Sequence, residues 1–387
     1  MFGFGKESKK VEYLELIYDL IFVYLIGRNS ALVVPIHGGF VDPNLFLTYI
    51  LCTLIMIQIW NHTNFYLNRY GRNGIREHIC IFINMYLLYF MGNATNTQWT
   101  DSYYRYNIAW ALILINLGIQ YAIHLKKSKK ESPWEQTHLR WSMWVLFLQA
   151  AIVLALMPVF GLTGLPLTPI AMVFGIAATI AAERIHHLVM IDFEHLSERA
   201  MLYVVFTFGE MIVAVAPYFS GNPTPQSIYF STMTFLIVAG LFLSYEIFYD
   251  HLLDREKQTT GNIYMMLHLF LIFALNNITT ALEFMREEEV ALMPKILFLT
   301  ISFLLYYFFL FAMAPFCRAG CHMSASFFLK IALAGAAFVV LMIVFCQNMM
   351  VNILISVLLV YAVLVLLVRF RRKQGTDDGP LHHDKGI

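Results

Sequence analysis

Apolar residues run through this chain in stretches of about 20, the length a helix needs to cross a hydrocarbon core roughly 30 Å thick. Twelve such stretches can be read, approximately 11–34, 44–68, 77–96, 102–124, 138–159, 166–190, 195–219, 224–252, 261–285, 289–316, 325–345 and 349–369. Only a few residues around Gln347 and Asn348 separate the last two, so a single broken helix is the alternative there. The pattern predicts an all-α polytopic membrane protein of about twelve transmembrane helices.

Composition supports lipid as the solvent. Of 387 residues, 59% are hydrophobic and 13% are charged, against about 25% charged in an ordinary soluble domain. A net charge of +1 argues against nucleic acid as a partner. The five cysteines include Cys52, Cys80 and Cys346 within apolar runs, so no disulfide framework is expected. The polar start, Met1 to Lys10, leads into a segment with no small-residue cleavage site, and no cleavable signal peptide is expected.

The basic residues add an orientation. With the N-terminus inside, nearly all of the 26 Lys and Arg fall on inner segments, and the outer ones keep only Arg105, Arg286 and Lys295. That bias predicts a multi-pass protein with both termini in the cytoplasm.

Shifted by about 184 residues, the first six spans fall on the last six, the signature of an internal repeat. Phe65-Tyr66 then meets Phe248-Tyr249, and Asn93-Ala94-Thr95 meets Asn277-Ile278-Thr279. Because six spans is even, the two halves would share one orientation and form a 6+6 parallel pseudo-repeat. The expected division is a cytoplasmic N-terminus 1–10, halves at 11–190 and 191–370, and a disordered cytoplasmic tail 371–387. Asn93 and Asn277, related by the repeat, are the candidate amides lining a pathway.

Charge inside these spans is expensive, about 2.5–3.5 kcal/mol for an acid or base near mid-bilayer on insertion scales, and so marks candidate sites. Glu210 stands in an otherwise uncharged run, Met201 to Phe219, and Arg28 is the basic residue deep in the first span. The two occupy corresponding places in the halves, so a buried Arg28–Glu210 pair is expected, either fastening the halves or switching when Glu210 takes a proton or cation. Glu15 and Asp19 lie four apart on one helix face. They read either as an inner proton or cation route or as helix-start carboxylates paired with basic residues. An inner polar network is expected from Glu183, Arg184, His195, Glu198 and Arg199, of which the last three share a helix surface. A metal site from His186, His187, His195 and Glu198 is chemically conceivable but matches no metalloenzyme spacing. No G-x-S-x-G, Walker or Gly-rich phosphate motif occurs, so neither a cofactor nor an enzymatic activity is expected.

Two of these segments carry a likeness. Val11-Glu12-Tyr13-Leu14-Glu15-Leu16-Ile17-Tyr18-Asp19-Leu20-Ile21-Phe22-Val23 resembles the V-E-L-F-Y-D-L-I-F-V opening of the bacterial low temperature requirement protein A (LtrA) family. His195-Leu196-Ser197-Glu198-Arg199, followed by Phe208-Gly209-Glu210, resembles its H-x-x-E-R and L-G-E segment. The departures are Arg28, where a neutral polar residue is expected, and Tyr24 to Gly27 in place of A-I-T. The resemblance implies a bacterial inner-membrane protein linked to growth in the cold, and no particular reaction. A fainter likeness runs to potassium channels with a Phe-Ser-Asp motif, which would fall here on Ile17-Tyr18-Asp19.

The expected function is a proton- or cation-coupled secondary transporter with a site between the halves. Glu210 would couple, Arg28 would be its counter-charge, and Glu15 and Asp19 the inner route. The alternatives are an ion channel lined by the first and seventh helices, and a membrane sensor or assembly protein. The expected partners are the lipid bilayer and protons or a small ion or solute; a homodimer is compatible with the sequence.

Overall fold

Punctuation in the sequence sets where the helices begin and end. A computed structural model describes residues 9–33, 36–96, 99–127, 132–181, 191–220, 224–286 and 289–374. Among these, twelve α-helices appear: α1 Tyr13–Ser30, α2 Pro43–Tyr70, α3 Ile75–Ala94, α4 Trp99–Lys127, α5 Pro133–Thr163, α6 Pro169–Ala181, α7 Phe193–Val215, α8 Pro225–Ile247, α9 Asn262–Arg286, α10 Leu292–Ala312, α11 Ala325–Val344 and α12 Met349–Gln374.

Asp42, Ser132 and Thr224 stand before prolines at the first positions of α2, α5 and α8, and each side chain accepts a backbone N–H of the first turn. A side-chain oxygen there satisfies donors that the helix cannot, and proline loses no hydrogen bond at that position. Helix α5 ends on Gly164 at φ 71°, the left-handed cap for which glycine is suited.

Nine of the helices are long and apolar enough to cross a membrane among the described residues. Helix α1 is not one of them, since its 18 residues hold Glu15, Asp19 and Arg28. The last two apolar runs form separate helices. Phe345 closes α11, and Val351 N–H donates to the Asn348 side chain at 3.2 Å to open α12. Two details depart from the expected reading. A two-residue hairpin, Ile36–His37 paired with Phe40–Val41, follows α1. Its turn uses Gly38 and Gly39 at φ 63° and 89°, the positive angles tight hairpins demand. Helix α12 also continues to Gln374, so Arg371, Arg372 and Lys373 are helical and not part of a disordered tail; residues 375–387 lie outside the described residues.

Polarity is inverted relative to a water-soluble bundle. Asp19, His195, Arg199, Gln58 and Gln149 are buried, whereas Trp144, Leu148 and Leu154 of α5 and Leu329, Leu333 and Val340 of α11 are exposed. Apolar side chains outside and hydrogen-bonding ones inside is the distribution that a hydrocarbon solvent favours, because only there does a polar group gain by burial.

The chain divides into two compact units. One runs to Phe206 and takes in Arg255–Leu269; the other holds Thr207–Asp254 and the chain from Phe270 on. The change therefore falls inside α7, not at the residue 190/191 boundary expected from the repeat. In the first unit α4 packs on α3 and α5, and α1 on α2 and α3. In the second, α8 packs on α12, and α11 on α10 and α12.

The α8–α12 contact depends on a missing side chain. A Cβ added to Gly240 would stand 2.3 Å from Val360 Cγ1, a rigid neighbour. Gly240→Val is expected to cost about 1–3 kcal/mol, the usual penalty of overpacking. Adding Val360→Ala should recover most of it. Detergent melting of the two single variants and the double variant measures this, and an additive result would show that the helices do not touch as described.

Candidate functional site

Spacing of four on two helices builds the site. Glu15 and Asp19 are one turn apart on α1, and His195 and Arg199 are one turn apart on α7, so each pair projects from one face. Glu15 Oε2 accepts from His195 Nε2 at 3.0 Å. Arg199 Nε donates to Asp19 Oδ2 at 3.3 Å, and its Nη2 donates to Asp19 Oδ1, giving a two-pronged grip. Because 15 meets 195 and 19 meets 199, the two helices run in the same direction here. Asp19, His195 and Arg199 are fully buried and Glu15 is 3% exposed.

Helix α2 completes the network. Trp60 Nε1 donates to Asp19 Oδ1 at 2.8 Å. Asn68 clamps the start of α7: its Oδ1 accepts Asp192 N–H at 3.1 Å, and its Nδ2 donates to Asp192 O at 2.8 Å and to His195 Nδ1 at 3.0 Å. The first of these contacts fixes which end of the amide is oxygen. His195 Nδ1 must then accept, so the ring carries its proton on Nε2 and donates it to Glu15. Asp192 caps α7 by accepting His195 N–H at 3.0 Å and also takes Lys9 N–H at 2.8 Å. Lys9 Nζ donates to Leu67 O at 2.6 Å and to Glu15 Oε1 at 3.4 Å.

Three carboxylates, Glu15, Asp19 and Asp192, meet two cations, Arg199 and Lys9, and Arg199 Nη1 is also 3.8 Å from Glu15 Oε1. Tyr203 lies over the site, its ring 4.5 Å from Trp60 and 6.0 Å from Phe22, so the Asp19–Arg199 grip is sealed by aromatic surface. The network fastens three helices, because each of its acids accepts hydrogen bonds from donors of the chain. Beside it, His138 of α5 joins the end of α2, with Arg69 Nη1 at 2.8 Å from Nε2 and Tyr70 OH at 2.8 Å from Nδ1.

The family model of the bacterial low temperature requirement A protein (LtrA) matches residues 10–368, a span that includes every residue of the network except Lys9. The chain belongs to the LtrA family. Comparison with curated proteins and with solved structures returned no match. The segments that carry the likeness in sequence are those this LtrA-family chain brings together: Glu15 and Asp19 from the first, His195 and Arg199 from the second.

The other expected residues fall elsewhere. Glu183 and Arg184, with His186 and His187, lie outside the described residues. Glu198 is half-buried on the turn between His195 and Arg199, and among the described residues of the first unit it has no ion pair. Arg28 and Glu210, expected as a pair, belong to different units. Arg28 Nε donates to Gly92 O at 3.4 Å. Glu210 is half-buried on α7, and among the described residues of its own unit it makes neither a hydrogen bond nor an ion pair. Asn93 is exposed in the last turn of α3 and accepts Tyr24 OH at 3.0 Å, whereas Asn277 is buried within α9. Among the described residues no three His, Cys, Asp or Glu side chains are placed to hold a metal ion.

Sequence reasoning missed Trp60, Asn68, Lys9 and Asp192. Asn68 and Asp192 carried a weak signal, since a polar residue at a span end and an Asp three before His195 both suit helix capping. Trp60 carried none, being one aromatic among many in an apolar run.

Proposed function

We propose that this LtrA-family chain is a secondary transporter of the bacterial inner membrane, coupled to protons or a cation, with Glu210 as its coupling carboxylate. The support is a contrast among the acids of α1 and α7. Glu15 and Asp19 are met by Arg199, Lys9, His195 and Trp60. Among the described residues of its unit Glu210 has no such compensation, although its neighbours in sequence from Phe206 to Val215 are apolar apart from Thr207. A carboxylate so placed holds a proton or takes a cation for at least part of its working cycle, because leaving it bare costs several kcal/mol. In this reading Glu15 and Asp19 move from an inner route to a fixed fastener that holds α1, α2 and the first turns of α7. Both termini face the cytoplasm, as the basic residues favour, and growth at low temperature, which gives the family its name, is the setting in which the transport matters.

Liposomes holding the purified protein and a trapped pH-sensitive dye test this. An imposed Na⁺, K⁺ or Li⁺ gradient is expected to drive saturable proton movement that protein-free vesicles lack. An ion conductance in planar bilayers without saturable proton linkage would assign a channel. Absence of both signals would leave a sensor or assembly role and would overturn transport.

A further inference from the structure

At one end of the second unit, described residues that follow α7, begin α8, end α9, begin α10 and precede α12 line a cavity of about 590 Å³. Its lining includes Tyr218, Thr224, Ser227, Arg286, Lys295 and Gln347, and no acid is found among its described lining residues. The volume lies in the range of small-molecule sites, about 300–1,000 Å³. Arg286 and Lys295 are the charged side chains among its described lining residues.

Local contacts show which groups are available to a ligand. Tyr218 OH donates to Leu282 O at 2.6 Å, which fixes the ring. Arg286 Cζ rests 5.4 Å from the centre of that ring. The aromatic face thus holds the guanidinium without using its N–H edge. Arg286 is exposed and makes no ion pair among the described residues. Thr224 and Ser227 spend their hydroxyls on each other in the cap of α8, so recognition falls to the charged side chains. Lys295 is 4% exposed and is already engaged within the protein, so it contributes field and Arg286 is the group presented. Helix starts and helix ends both border the cavity, so their dipoles largely cancel and the side-chain charges decide.

We infer that this cavity binds the phosphate of a phosphate ester, with Arg286 as the direct donor and Lys295 as the supporting charge. The guanidinium fork matches phosphate oxygens in pairs. A 590 Å³ space exceeds what a bare ion fills and has room for the esterified group. The cavity lies among helix ends, where a membrane places its headgroups. A soluble phosphate ester offers the same chemistry. The inference goes beyond the transport reading and does not depend on it, since binding is read at equilibrium.

The test uses the full chain in phosphatidylcholine nanodiscs. One arm titrates inorganic phosphate and glycerol 3-phosphate by calorimetry. The other counts phosphatidylglycerol molecules retained in native mass spectrometry after mixed-lipid reconstitution. Saturable binding that weakens with added salt is expected in at least one arm. Arg286→Gln is expected to weaken it about tenfold or more, the loss of one charge-assisted contact. Arg286 is exposed, so that variant should fold; Lys295→Met is the second variant, and melting temperatures are recorded for both. Binding in the soluble arm alone identifies a free ester, and binding in the lipid arm alone identifies a headgroup. No saturable binding in either arm, or wild-type binding by a folded Arg286→Gln, would overturn the inference.

Discussion

Arg199→Ala is expected to destabilise the first unit by about 3–5 kcal/mol, the cost of breaking a buried ion pair by deleting one partner. The size follows from what remains. Asp19 is fully buried and would keep one donor, Trp60 Nε1, in a site closed by Tyr203 and Phe22. Water cannot enter to replace the guanidinium without parting α1 from α7. Deleting Asp19 alone should be comparably costly, since it strands Arg199 instead. The double variant Asp19→Asn with Arg199→Gln should recover most of the loss, because a neutral amide pair removes both desolvation penalties together. Unfolding of wild type, Asp19→Asn, Arg199→Gln and their double variant in detergent or mild denaturant closes a cycle that yields the coupling energy. If the single variants melted like wild type, water would have to reach the pair and the fastener would not exist as described. His195→Ala is a milder change, since Glu15 would keep Lys9 and the Glu12 backbone N–H at 3.1 Å.

The spans were legible because lipid leaves so little choice. Helix is the form in which a continuous apolar stretch satisfies its own backbone, and proline behind Asp, Ser or Thr marks where it starts. Residues 44–68, read from hydropathy, became Pro43–Tyr70; residues 325–345 became Ala325–Val344. The hairpin after α1 was missed because two-residue strands leave almost no periodicity, although Gly38-Gly39 marked the turn. At the site, each helix face could be read from spacing alone: Glu15 with Asp19, and His195 with Arg199. The docking of one face on the other could not, because it is fixed by contacts about 180 residues apart in sequence, where loop closure gives the chain no local cue. Arg199 shows the ambiguity well. An arginine one turn into a span reads as a topology signal near the inner interface, yet its side chain is wholly buried. The acids that read as an ion route are the well-compensated ones, and among the described residues of its own unit Glu210 has no partner.

That contrast makes the second large effect opposite in character to the first. Glu210→Gln is expected to reduce cation-driven proton movement in liposomes to the protein-free background. Stability should stay within about 0.5 kcal/mol of wild type or rise, as for a substitution that breaks no hydrogen bond or ion pair among the described residues of its unit. The amide keeps the shape of the side chain but can neither bind a proton in this range nor carry the charge that attracts a cation, so coupling is lost at its source. No ion pair within the unit is broken, and a desolvation penalty is relieved. A residue that merely fastened the fold would behave as Asp19 should, losing stability first and flux only as a consequence. Two outcomes would count against the coupling role: melting several degrees below wild type would assign Glu210 to architecture, and unchanged flux in a folded Glu210→Gln protein would move the coupling group elsewhere. Measured beside Arg199→Ala, with flux normalised to folded protein, the pair separates a helix fastener from a group that titrates in the transport cycle.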